Sequence, residues 1–365
     1  MRSFKYADEK INERELMIAV PSVMIGVGIL TLPMDLASVT TSSDGWVSML
    51  VGGFIAIVLA WMFTKFALRF PGQSFLSYSS LIVTKPVAII LSFLFGTIWL
   101  GITAFEVRKI AEISKQYLFD RTPVEVIALS FLLVIVYAVS GTRVGIFRLN
   151  MLFLPIILFI AFLVIVLNVG EFSPSNLLPM FETNVSGYLK GIHTVVLSYV
   201  GFSIVLFYAG LIKKPTKDTP KKVALGMFIP IILYLVLFMM SIGTFGHAVT
   251  SNLLYPTIEL AKGSGTIKRF ESIFFVIWIM AIFNTTTIAL DITVLAINSI
   301  FKKIQKVKLV LILSPIVYAV SMFPQNVMEV STLGMLVSNT ALVYGISVTI
   351  LLIVFAKLRG VKRVG

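Results

Sequence analysis

The sequence predicts an all-α integral membrane protein: ten transmembrane helices in a five-plus-five inverted repeat, with helices 1 and 6 broken. Three observations lead there. Of the 365 residues, 58% are hydrophobic and 13% charged, more apolar side chain than a water-soluble core absorbs. The apolar residues come in runs of about 20, the length a helix needs to cross roughly 30 Å of hydrocarbon, rather than in alternating ten-residue strands. Basic residues recur at every second loop, as the positive-inside rule requires.

The spans follow in order. Span one, near 15–36, comes after a lead in which Arg2, Lys5 and Arg14 mix with Asp8, Glu9, Glu13 and Glu15. That lead lacks the form of a cleavable signal peptide, so the span is expected to stay in the chain. Span two (46–68) follows ASVTTSSDGW, residues 37–46, which hold no Lys or Arg, and closes on Lys65 and Arg69. Span three (87–110) starts after Lys85 and carries Arg108 and Lys109 near its far end; span four (123–140) lies between Arg121 and Arg143. Span five (146–168) holds Arg148 at its start, and span six (188–211) runs into KKPTKDTPKK at 213–222. Spans seven (223–247) and eight (270–300) are separated by Lys262, Lys268 and Arg269, and spans nine (309–323) and ten (332–356) are flanked by Lys302, Lys303, Lys306, Lys308 and by Lys357, Arg359, Lys362, Arg363.

With both termini cytoplasmic, the inner loops hold most of the basic residues. The net charge of +13 therefore punctuates span ends and forms no stripe with interleaved aromatics, which excludes nucleic acid as its purpose. Cysteine is absent, so disulfide and thiolate chemistry are excluded too. No phosphate-cradling glycine loop or nucleophile motif stands at usable spacing, and an enzyme is not expected. His193 and His247 lie near outer span ends without a second ligand at metal spacing, so no metal or cofactor is expected.

Domain organisation follows from the halves. The glycine-rich centre of span one and SYVGFS, residues 198–203, in span six are matched centres, and one offset carries spans one to three onto six to eight. Spans four and five need a larger offset, for which an extended eighth helix is the expected cause. The loop at 37–46 is free of basic residues while its counterpart at 213–222 is rich in them, so the copies are inverted. This gives one transmembrane domain: a cytoplasmic segment 1–14, repeat one at 15–168, repeat two at 188–356 and a cytoplasmic tail 357–365. Inverted repeats with interrupted first helices place a solute site at the midplane in secondary-transporter folds.

GVGILTLP, residues 26–33, is a poor plain anchor, since an interior glycine costs about 1 kcal/mol and a proline about 3. Where the helix opens at Gly26, Val27 and Gly28, main-chain groups lose their partners and a ligand can satisfy them. The half-helix starting near Ile29 offers N–H groups to a carboxylate, and the half ending near Ile25 offers carbonyls to an ammonium or cation. A small zwitterion such as an amino acid fits. Tight helix packing at the two glycines is the alternative reading.

GVGILTLP, followed by DGWVSMLVGG (44–53), AWMFTKFALRFPGQSFLSY (60–78) and FDRTP (119–123), resembles the B subunit of bacterial spore germinant receptors, the spore permease family. That family belongs to the amino acid–polyamine–organocation superfamily, so the resemblance implies its LeuT-type fold. It further implies a spore inner-membrane location, an A subunit and a lipoprotein C subunit as partners, and a nutrient germinant, often an amino acid or sugar, as ligand. In span six, Ser198, Tyr199, Gly201 and Phe202 occupy the centre matching the first break, where an aromatic ring can close over a ligand side chain. Span three flanks the site in this fold, which brings in Phe105 and Glu106, although Glu106, Arg108, Lys109, Glu112 and Lys115 have spacings that also allow mutual pairing. On span eight, Thr285, Thr286 and Thr287 are candidates for a cation, with bonding to their own helix as the alternative. Asp291 is a candidate for cation or proton handling, or sits near the inner interface. The lysine that proton-coupled relatives place in span five has no match. Two functions remain: a sensing subunit that binds a nutrient, and an independent amino acid permease working by alternating access.

Overall fold

A computed structural model describes residues 10–263 and 270–361. Residues 1–9 of the predicted N-terminal segment, with Arg2 and Lys5, then Lys268 and Arg269, and the tail from 362, with Lys362 and Arg363, lie outside the described residues. Regular structure among the described residues is helical, apart from one isolated bridge between Ile11 and Ile212.

Helix α1 (Glu13–Met24) and α2 (Gly28–Ala37) make the first span, bent by 51° at the break. They are followed by α3 (Gly45–Ala67), a short α4 (Phe75–Ile82), α5 (Lys85–Tyr117), α6 (Val124–Ser140) and α7 (Arg143–Leu167). The sixth span is α8 (Val185–Ser198), a 3₁₀ segment Val200–Ile204 and α9 (Val205–Tyr208), bent by 45°. Then come α10 (Thr219–Gly226) and α11 (Phe228–Phe245), short α12 (His247–Thr250) and α13 (Pro256–Gly263), and finally α14 (Phe270–Ile300), α15 (Lys306–Ser321) and α16 (Val327–Leu358). Among the described residues, six helical stretches are long and apolar enough to cross a membrane, or up to eight if each bent pair is one span. The predicted fourth and ninth spans are α6 and α15, of 17 and 16 residues.

Side-chain caps set the helix starts. Thr142 accepts the Gly145 N–H at 3.1 Å and Asn184 the Gly187 N–H at 2.7 Å, each satisfying a donor that the first turn leaves over. The Thr142 cap starts α7 at Arg143, three residues before the expected boundary, and so draws Arg143 into the bundle. The offset between the halves has a different cause from the one expected. Helix α14 (31 residues) is no longer than α5 (33 residues); the extra length sits in the connection at 246–269, which holds α12 and α13 where 68–84 holds only α4.

Helix α14 is the central post, packed on α5, α7 and α1. Large apolar side chains such as Phe54, Leu133, Phe159 and Val343 face outward, as lipid contact requires, while Trp99, Tyr78 and Phe95 fill the interior. At one end, the buried Asp44 carboxylate accepts the N–H groups of Phe181 at 2.6 Å and Thr183 at 2.8 Å, tying the entry of α3 to the chain ahead of α8.

Candidate functional site

The two prolines of the first span explain where its main-chain groups go. Pro33 has no N–H for the carbonyl of Ile29, one turn back, and the Thr257 hydroxyl donates to that carbonyl instead, at 2.7 Å. At the break itself, the Tyr234 hydroxyl donates to the Met24 carbonyl at 2.5 Å and the Trp278 indole to the Gly26 carbonyl at 3.3 Å. The donor side is different. The N–H groups of Gly26, Val27, Gly28 and Ile29 find no acceptor among the described residues, whereas Ile25 donates to Pro21 and Leu30 to Val27. Side chains thus take the carbonyls of Met24 and Gly26 at the break, while four consecutive amides meet no acceptor.

Glycine is required here by close approach. A Cβ on Gly26 would stand 2.6 Å from the Thr285 hydroxyl oxygen, and one on Gly28 would stand 2.9 Å from the Tyr234 hydroxyl, which its bond to Met24 holds in place. At the second break, α8 ends at Tyr199 and the chain tightens into a 3₁₀ turn. Gly201 packs on Val23 and Met24, so the two breaks touch. The Tyr199 ring stacks on Tyr234 at 5.6 Å, and Phe202 meets Phe63 edge-on at 5.4 Å.

Around this contact several buried polar atoms have no hydrogen-bond partner: Ser22 Oγ, Glu106 Oε2, Tyr199 OH, Ser203 Oγ and both amide atoms of Asn284. Such atoms are rare in a finished interior, and each lacks a partner that the packing itself would supply. Glu106 lies within electrostatic range of Tyr234, which links it to the first break.

The structure therefore brings together Gly26, Val27, Gly28, Tyr199, Gly201, Phe202 and Thr285, with Glu106 beside them. Several candidate side chains have partners of their own. Phe105 points at α16, where a Cβ on Gly334 would stand 2.5 Å from its ring. The Ser198 hydroxyl donates back to Thr194 in its own helix at 3.2 Å. The hydroxyls of Thr285, Thr286 and Thr287 donate to Ala281, Ile282 and Phe283, four residues back. Of the span-three charges, Arg108 pairs with Glu112 at 2.7 Å, as the spacing allows, while Glu106 faces inward.

Asp291 does not join the threonines. It lies six residues on from Thr285, about 9 Å along α14, and its carboxylate is saturated. Arg143 Nε donates at 2.6 Å to one oxygen and Arg143 Nη2 at 3.2 Å to the other; Tyr208 OH donates at 2.9 Å and Lys306 Nζ stands at 3.3 Å. This buried knot joins α14, α7, α9 and α15.

Sequence reasoning missed Tyr234, Trp278 and Thr257, the donors that close the break, and Arg143 and Lys306 of the knot. A signal existed for the first two: each is a lone aromatic with a polar tip inside an apolar run, and when buried such a tip needs a partner.

Comparison with known proteins adds the following. Residues 10–330 match the spore permease family, described as spore germination protein. The chain is 38% identical over 339 residues to spore germination protein GerLB of Bacillus cereus, covering 92% of this chain and 91% of that one. It is 31% identical over 354 residues to spore germination protein YndE of Bacillus subtilis strain 168, covering 96% and 97%. Two solved transporters superpose with a TM-score of 0.69 at 14% identity. One is Mhp1, a nucleobase-cation-symport-1 family transporter in a closed conformation with bromovinylhydantoin bound, over 92% of this chain and 76% of that one; the other is MhsT in complex with L-phenylalanine, over 93% and 88%. The shared fold is the LeuT-type arrangement.

Proposed function

The chain belongs to the spore germination protein family, and from that premise we propose that it is the nutrient-binding subunit of a germinant receptor, sensing an amino acid at the contact between its two helix breaks. One observation carries the reading. Four consecutive amides, Gly26 to Ile29, point their donors at no acceptor while the neighbouring carbonyls of Met24, Gly26 and Ile29 are all taken. A site where free donors outnumber free acceptors favours an anion, and at the start of a half-helix the dipole adds to that preference. The carboxylate of an amino acid sits there. Its ammonium goes to Glu106, whose free carboxylate oxygen replaces the break carbonyls as acceptor. Tyr199 and Phe202 form the wall for the side chain.

In this reading the whole chain is one transporter-like domain of two repeats, 15–168 and 188–356, with both termini cytoplasmic in the spore inner membrane. An A subunit and a lipoprotein C subunit receive the signal as a shift between two conformations. The likeness to MhsT, whose structure holds L-phenylalanine, supports an amino acid as ligand.

A second reading, an independent amino acid permease, is favoured by the transporter fold. Binding of labelled amino acids to the purified chain, followed by uptake into vesicles containing it alone, separates them. Binding without accumulation supports the sensor; accumulation establishes the permease; binding of no amino acid overturns the site.

A further inference from the structure

Away from the breaks, a groove of about 380 Å³ runs between α3 and the α10–α11 pair on the outside of the bundle. Its floor is Ile57, Val58, Ala224 and Leu225, with Phe228 closing one end, and the small Ala224 opposite the large neighbours makes the depression. Leu225 is 61% exposed and Phe228 46%, so the groove opens to the surroundings rather than into the bundle.

The other end is basic and aromatic. Lys221 lines the groove in the first turn of α10. Lys65 stands in the last turn of α3 with its ammonium 4.3 Å over the ring of Trp61, itself a groove residue. Because α3 and α10 pack together at the end of one helix and the start of the next, both lysines lie at the same end of the bundle. Lys221 meets Asp218 only at 3.6 Å with both side chains largely exposed, a contact of little energy. The basic run 213–222 leads directly into this end. An apolar trough that ends in two ammonium groups and an interfacial tryptophan matches one kind of molecule in a membrane: an acyl chain carrying a negative headgroup.

We propose that this groove is a specific seat for an anionic phospholipid, with one acyl chain along the trough and the phosphate between Lys65 and Lys221. The groove is lined by none of the residues assigned to the nutrient site. The apolar trough commits the site to lipid rather than to free phosphate, which would use the lysines alone.

The test is native mass spectrometry of the purified full chain loaded with phosphatidylglycerol or phosphatidylcholine of the same acyl composition. Retention of phosphatidylglycerol over phosphatidylcholine is expected, and K65Q with K221Q together lowers it about thirtyfold, about fivefold per lysine. Leu225→Trp, a change at an exposed position, fills the trough and removes bound phosphatidylglycerol while leaving the fold intact. The control K303Q leaves retention unchanged. Equal retention of the two lipids, an equal loss with K303Q, or displacement of the lipid by millimolar inorganic phosphate overturns the proposal.

Discussion

Replacing Asp291 with Asn tests whether the charged knot beneath the second break holds the fold by pairing of charge. The side chain is fully buried, as is nearly all of Arg143, whose guanidinium approaches to 2.6 Å. At such distances, with an effective dielectric near 20, each cation attracts the carboxylate by roughly 5 to 6 kcal/mol. Desolvation of the ions opposes this by a comparable amount, so the intact cluster contributes little net stability. The mutant is different. Asn keeps the volume but removes the charge, and the Arg143 guanidinium loses its bidentate carboxylate while staying desolvated; Lys306, at 17% exposure, can swing toward water. The expected cost is about 3 to 5 kcal/mol, a large share of a total stability of roughly 5 to 15. Thermal unfolding of the purified chain in detergent, with its abundance in the membrane, reads this out. Arg143→Met combined with Asp291→Leu should recover most of the loss, because apolar side chains of similar volume carry no desolvation cost. An Asp291→Asn protein that unfolds with the wild type, or a double variant that loses as much as the single, refutes the charge account.

Three further outcomes are expected. Gly26→Ala puts a Cβ 2.6 Å from the Thr285 hydroxyl and should cost about 1 to 3 kcal/mol by overpacking; adding Thr285→Ala should restore at least half in the same unfolding assay, and strict additivity would assign the loss elsewhere. Glu106→Gln keeps size and removes charge, so amino acid affinity of the purified chain should fall about ten- to a hundredfold with abundance unchanged; an unaltered affinity excludes Glu106 as the ammonium partner. Burial pushes the Asp44 carboxyl up, but the N–H groups of Phe181 and Thr183 outweigh it and hold the group below the usual carboxylate range. Its stabilisation is therefore complete above the unfolded value, about 3.9, and is lost as pH falls through the lower folded value. Asp44→Asn should flatten that acid limb of an unfolding-versus-pH curve, and an unchanged limb counts against the linkage.

The spans were legible because a bilayer imposes one length and one solvent preference on every helix. The first break was legible from glycine and proline, which carry a local cost that only a special backbone explains. What fills the break was not. Tyr234 and Trp278 come from spans seven and eight, and nothing local in their runs says which carbonyl their polar tips meet. Asp291 was visible as an anomaly, yet its partners Arg143 and Lys306 read as ordinary loop charges, because a three-residue shift in the start of α7 decides whether Arg143 is at the surface or inside. The threonines of NTTT show the converse: hydroxyls spaced like ligands donate to carbonyls of their own helix, four residues back.

The asymmetry at the first break limits what kind of ligand can move the protein. A guest that only fills space beside Tyr199 and Phe202 contacts every arrangement of the breaks alike, and without a difference in affinity it shifts nothing. Carrying a two-state equilibrium from 1:99 to 99:1 takes about 5.5 kcal/mol of differential binding. A buried, unmet N–H costs about 1 to 3 kcal/mol, so a carboxylate that satisfies two or three of the amides at Gly26 to Ile29 supplies a difference of that size by itself. In the proposed reading, aromatic contact with the side chain selects the amino acid, while the backbone contact decides whether binding shifts the equilibrium. Tyr208, on the half-helix just past the second break, ties that segment to α14 through its hydroxyl bond to Asp291 at 2.9 Å. On that proposal, trigger and selectivity rest on different atoms of the ligand, the carboxylate for the first and the side chain for the second.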